Sequence, residues 1–91
     1  MNLTMKDLEQ CFRDAKYTKS LYIGVKIQMQ GFPECEIIIN PSENFDTKLE
    51  YYKKAYDDTL TLKTFNGIKI VNFGFGDCYD ELECQFENIE E

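Results

Sequence analysis

The chain has 91 residues, 43% apolar and 30% charged, with a net charge of −7 and no histidine. That length supports one domain, residues 1–91, with one modest core, and the balance is that of a folded chain rather than a disordered one. The absence of histidine excludes His-based triads and imidazole zinc sites, and ten scattered bases argue against direct binding of nucleic acid or an anionic membrane.

The first helix starts at Thr4. Thr4 and Asp7 stand at capping-box spacing, and Leu8, Cys11, Phe12 and Ala15 repeat at helical period as far as about Lys16. A strand follows, in which Leu21, Ile23, Val25, Ile27 and Met29 alternate with Tyr22, Gly24, Lys26, Gln28 and Gln30. This pattern predicts one face on a core and one polar face. Gly31-Phe32-Pro33 interrupts it, and a second strand over Glu34–Ile39 is expected to return as an antiparallel hairpin.

Asn40, Pro41 and Glu43 read as cap, first position and third position of a second helix. Its stripe is Phe45, Leu49, Tyr52, Ala55 and Tyr56, and Asp57-Asp58-Thr59 ends it. Leu60 and Leu62 alternate with polar neighbours, and Asn66-Gly67 is a hairpin signal. Ile68–Phe75 then reads as a strand whose apolar residues change face at Val71. A bulge there, or cover on both faces, reconciles the pattern. Asp77 is placed to cap a last helix with Tyr79, Leu82, Phe86 and Ile89 inward. The order α-β-β-α-β-β-α predicts an α+β fold, with helices packed on an antiparallel sheet of three to four strands.

The charge is local. Residues 1–76 carry ten acids and ten bases, and the whole excess lies in Asp77, Asp80, Glu81, Glu83, Glu87, Glu90 and Glu91. Carboxylates on successive turns of a helix lie about 5–6 Å apart, comparable with phosphates along a nucleic-acid strand. Such a face suits a basic groove on a nucleic-acid-binding protein, with Tyr79, Tyr51 and Tyr22 as aromatic anchors. The plain alternatives are a solubilising charged face and tyrosines that cover core edges. Asp57-Asp58 and Asp80-Glu81 are adjacent carboxylates, which point apart on a helix, so no catalytic residue is assigned. Asp77, Asp80 and Glu81 lack a calcium-loop order and read as helix-start residues, and no metal or cofactor is expected. Gly74-x-Gly76 lacks the remainder of a phosphate-binding loop. The four cysteines show no Cys-x-x-Cys spacing and no signal peptide precedes them. Each also fits an apolar pattern, which predicts free thiols in a reducing cytoplasm.

The pattern Asn40-Pro41-x-Glu43-Asn44-Phe45-x-x-Lys48-Leu49-x-Tyr51-Tyr52-Lys53-Lys54-Ala55-Tyr56-x-Asp58-x-Leu60-x-Leu62-Lys63, followed by Ile68-x-Ile70, resembles small accessory proteins of phages and mobile elements of Gram-positive bacteria. The resemblance covers about the second half of the chain and carries no catalytic residue. It implies action in the bacterial cytoplasm. In size, acidity and α+β build the chain is similar in kind to phage-encoded anti-defence inhibitors, anti-CRISPR proteins among them. The expectation is a non-enzymatic inhibitor or modulator of a host defence or nucleic-acid-processing protein. The alternatives are a phage assembly component, working as a homo-oligomer, and a protein that sequesters a small nucleotide.

Overall fold

A computed structural model gives the fold; it describes the backbone of residues 3–88 and the side chains of residues 3–84. Helix α1, Met5–Tyr17, begins as its sequence dictates. The Asp7 carboxylate accepts from the Thr4 N–H at 2.8 Å, and the Thr4 hydroxyl accepts from the Asp7 N–H at 3.4 Å. Its stripe Met5, Leu8, Cys11, Phe12 and Ala15 is buried throughout. Strand β1 is Tyr22–Met29 and strand β2 is Glu36–Pro41. Gly31, at φ +93°, supplies the left-handed residue of the turn between them. Strand β3, Ile68–Gly76, pairs on the other side of β1, so the antiparallel order is β2-β1-β3.

Alternation divides β1 between two layers. Ile23, Val25 and Ile27 face α1 and α2 (Phe45–Ala55), where they join Phe12, Phe45, Tyr52, Tyr56, Leu60 and Ile70 in one core. The Phe12 and Phe45 rings meet edge to face at 5.8 Å. Leu49, central to the predicted stripe, lies at the margin of this core and is only half-buried. Leu21, expected to share the buried face of β1, is exposed just before the strand begins.

The other face of β1 is not a polar surface. Helix α3, Tyr79–Asn88, packs across it, and Gly24 and Lys26 are buried there. Glycine makes this close approach feasible. Gly24 pairs with Gly74 across the strands, and a Cβ added at Gly76 would stand 4.0 Å from Leu82 Cδ1. With no side chains at these positions the sheet offers a low floor, and Leu82 is pressed against it at 2% exposure.

The irregularity at Val71 is a bulge. Lys26 pairs with Asn72 and Ile27 with Ile70, so Val71 has no partner on β1. The bulge turns Ile70 and Phe73 to the same side, and both pack with the α1–α2 core. Both readings of the sequence pattern hold, since β3 is also covered on both faces.

Two local expectations fail. The 59–63 segment does not form a fourth strand. The Asp57 carboxylate accepts from the Thr59 N–H at 2.9 Å, the Thr61 N–H at 3.0 Å and the Thr59 hydroxyl at 2.7 Å. This wraps the chain into a turn, and Leu60 takes φ +65° to drop its side chain into the core. Only isolated bridges, Tyr56 to Leu62 and Thr61 to Lys69, remain. Asn40 is not a helix cap either. It lies in β2, next to the strand's end at Pro41, buried, and its Nδ2 donates to the Ile23 carbonyl at 3.2 Å. A 3₁₀ turn, Ser42–Asn44, intervenes before α2, so the helix starts four residues later than its signal.

Candidate binding surface

The surface around α3 is built in three steps. The glycine floor seats the helix, Leu82 anchors it, and an aromatic pair locks its first turn. The Tyr79 ring meets Tyr22 edge to face at 6.0 Å. Tyr22, read as an exposed anchor, is half-buried by this contact, while Tyr79 keeps 47% of its surface exposed. Asp77 does not sit at the helix cap. The helix begins at Tyr79, and the Asp77 carboxylate accepts from the Leu21 N–H at 3.1 Å, tying the end of β3 to the start of β1. Asp80 and Glu81 lie exposed in the first turn, where the helix dipole favours negative charge. Glu83 is half-buried. The side chains of Phe86 and Glu87, and residues Ile89, Glu90 and Glu91, lie outside the described residues.

Asp77, Asp80, Glu81 and Tyr79 thus gather on one side of the sheet with Tyr22. Tyr51 does not join them. It projects from α2, on the opposite layer, against the Tyr52 ring at 5.4 Å and with the Lys48 ammonium 5.8 Å from its centroid. Neighbouring residues on a helix point about 100° apart, so burying Tyr52 turns Tyr51 outward. Any contact made by Tyr51 is a separate surface.

Beside α3 runs an open groove of about 540 Å³, lined by Phe75, Gly76, Asp77, Cys78, Asp80, Glu81, Leu82 and Cys84. It contains three carboxylates and no base. On the other side of the sheet a second groove, about 300 Å³, runs between α1 and β3. It is lined by Asp7, Gln10, Cys11, Asp14, Phe73, Gly74 and Phe75. Phe75 borders both. This convergence was not legible in the sequence, because Asp7 reads as a capping-box residue, Asp14 carries no signal of its own, and their nearness to β3 is a tertiary fact. Gly74 and Gly76 are the available sequence signal for close packing.

Cys78 and Cys84 are exposed on the first groove, contrary to the apolar role predicted for every cysteine; Cys11 alone is buried. All four thiols are free. Helix positions six residues apart are separated by about 9 Å along the axis, too far for a disulfide between Cys78 and Cys84 without unwinding. Burial, with Asp14 nearby, pushes the Cys11 thiol up to about 12, so it is a neutral packing group at neutral pH. Burial also raises Tyr52, and raises Tyr56 to about 12. Asp57 is held below its usual value by hydrogen bonds from Thr59 and Thr61. These shifts report packing and a turn. None lies on the α3 groove. Among the described residues no cluster of three or more His, Cys, Asp or Glu side chains is arranged to hold a metal ion. No helix of the described residues is long and apolar enough to cross a membrane.

Comparison with protein-family models, with curated proteins and with solved structures returned no match.

Proposed function

We infer that this is a non-enzymatic accessory protein of phage type, acting in the bacterial cytoplasm. It inhibits or modulates a host defence or nucleic-acid-processing protein by binding it directly through the acidic α3 face. The observation that carries this reading is the composition of that face. Asp80 and Glu81 are exposed beside the half-exposed Tyr79 ring, and the groove they border has no lysine or arginine in its lining. Carboxylates draw a basic surface in from a distance, and an aromatic ring stacked at one edge supplies contact area at small entropic cost. The partner's site is one that otherwise holds a nucleic-acid backbone, since that site presents clustered cations.

Asp80 and Glu81 are better test positions than Glu83, which is half-buried. Asp80→Lys with Glu81→Lys should abolish capture of a nucleic-acid-binding protein from Gram-positive host lysate at low salt. Added DNA should compete with the wild-type chain for that protein. Exposed charges are screened beyond about 8–10 Å at physiological ionic strength, so the difference between variant and wild type should shrink with salt. Equal capture by both chains at low salt would remove the acidic face from the mechanism. The assembly reading keeps one supporting observation: β2 lies at a sheet edge with Ile37 and Ile39 half-buried. A concentration-independent monomer in sedimentation would count against it.

A further inference from the structure

We propose that the outer edge of β3, from Asn72 to Gly76, is a strand-addition site for an extended, lysine- or arginine-rich segment of the partner. The proposal rests on the acidic-face reading above and specifies its geometry.

The hydrogen-bonding phase of the sheet identifies the edge. The Ser42 N–H donates to the Leu21 carbonyl at 2.8 Å, so alternate residues 21, 23 and 25 bond towards β2. Residues 22, 24 and 26 then bond towards β3, where they meet Gly76, Gly74 and Asn72. The peptide groups of Phe73 and Phe75 consequently turn outward. Along the first part of β3 the outer side is already occupied, because the Ile70 N–H donates to the Leu60 carbonyl at 2.9 Å. Beyond the Val71 bulge no strand follows among the described residues. The fold provides one stand-in there: Asn72 Oδ1 accepts from the Phe73 N–H at 2.9 Å. Among the described residues nothing is seen to bond the Phe75 N–H or the Phe73 and Phe75 carbonyls on that side, which leaves them for an incoming chain.

The surroundings fix what that chain is. Successive side chains of an added strand point to opposite faces of the sheet. One set would run into the α1 groove, under Asp7 and Asp14, and the other into the α3 groove, under Asp80 and Glu81. Both grooves are apolar near the sheet, the α1 groove at Phe73 and Phe75 and the α3 groove at Phe75 and Leu82, and both are acidic at the rim. Neither lining contains a base. Long basic side chains fit such walls, because their aliphatic stems lie on apolar surface while their charged heads reach the carboxylates. An acidic or wholly apolar segment would leave the rims unpaired. The opposite edge, β2, is less suited: Pro41, one of its outward positions, has no N–H to offer.

The probe is a short capped peptide of lysines and valines, with lysines on both strand faces, binding to the full chain in fluorescence anisotropy. A second peptide carries N-methyl groups at alternate residues, which removes the donors along one edge. Expected results are at least about tenfold weaker binding by the methylated peptide and a shift of the Phe75 amide resonance when the unmodified peptide binds. Asp80→Lys with Glu81→Lys should weaken the unmodified peptide as well. Equal affinity of the two peptides, an unmoved Phe75 amide, or no binding would overturn strand addition. If charge reversal abolishes binding while methylation does nothing, the acidic face stands and only the strand geometry falls. If charge reversal has no effect on either peptide, both readings fall.

Discussion

Asn40 offers a sharp test of how this sequence encodes its fold, because two roles predict opposite results. By pattern it is a helix cap. In the structure it is a buried link between layers, 1% exposed, donating to the Ile23 carbonyl and hydrogen-bonded to the Tyr52 hydroxyl. Replacing it with alanine removes both bonds; the Ile23 carbonyl keeps its backbone pairing with residue 40, and the Tyr52 hydroxyl is left buried without that partner. One lost bond costs about 0.5–1.5 kcal/mol, and an orphaned buried group about 1–3 kcal/mol. With partial relaxation the sum is about 2–4 kcal/mol, a large share of the 5–15 kcal/mol typical of a whole domain. Serine and aspartate separate the roles, since both are good caps. If Asn40 only capped, Asn40→Ser would cost a few tenths of a kcal/mol. As a buried link it should cost about 2 kcal/mol. Asn40→Asp should be worse at neutral pH and should recover on acidification, as the buried carboxylate takes up a proton. Urea unfolding followed by circular dichroism measures each difference. A serine variant within about 0.5 kcal/mol of wild type would refute the buried-link account.

Three further outcomes are expected. Burial pushes Cys11 and Tyr56 up to about 12 from ordinary values of 9.0 and 10.0, so folding favours their neutral forms. That contribution is complete below about pH 9 and is lost as pH rises towards 12, so urea midpoints should fall across this window; a flat profile would contradict the burial argument. In the native state Cys78 and Cys84 should react rapidly with a thiol reagent and Cys11 only on unfolding; simultaneous reaction of Cys11 would show that α1 is not packed as described. Leu82→Ala should cost about 2–3 kcal/mol, at the lower end for leucine because the site borders an open groove. Hydrogen exchange should show α3 losing protection while α1 keeps it, and equal loss in both helices would mean that the two layers unfold as one.

What the sequence disclosed follows the range of the forces involved. The capping box at Thr4 and the stripe Leu8, Cys11, Phe12 and Ala15 are local, and they appear as read. The face change at Val71 was visible because alternation has a strict period, and a bulge satisfies it. Asn40-Pro41 misled because asparagine before proline has the same signature whether its side chain caps a helix or enters a core. The 59–63 segment misled because an alternating pattern does not reveal that Asp57 will bind three donors and curl it. The candidate surface was legible only on its α3 half. Nothing in spacing places Asp7 and Asp14 beside β3, and nothing separates Tyr51 from Tyr22 except the sheet that lies between them.

The two layers also explain why the charge is where it is. The α1–α2 layer holds a continuous core, and its surface charges are paired in part, as in Lys16 with Asp46 and Lys53 with Glu9 at 3.7 Å. The α3 layer rests on Leu82 and an aromatic contact over a glycine floor. Its helix carries acids in the first turn, where the dipole favours them, and has no base in the last turn, where the dipole calls for one. Mutual repulsion along α3 therefore opposes a small amount of apolar burial. A basic partner of the kind proposed would supply the missing cations, and its binding would relieve repulsion and strengthen the thinner layer at once. Charge gathered on the α1–α2 layer would instead disturb the main core. Gathered on α3, it makes the layer with the least packing the one that would gain most from the proposed partner.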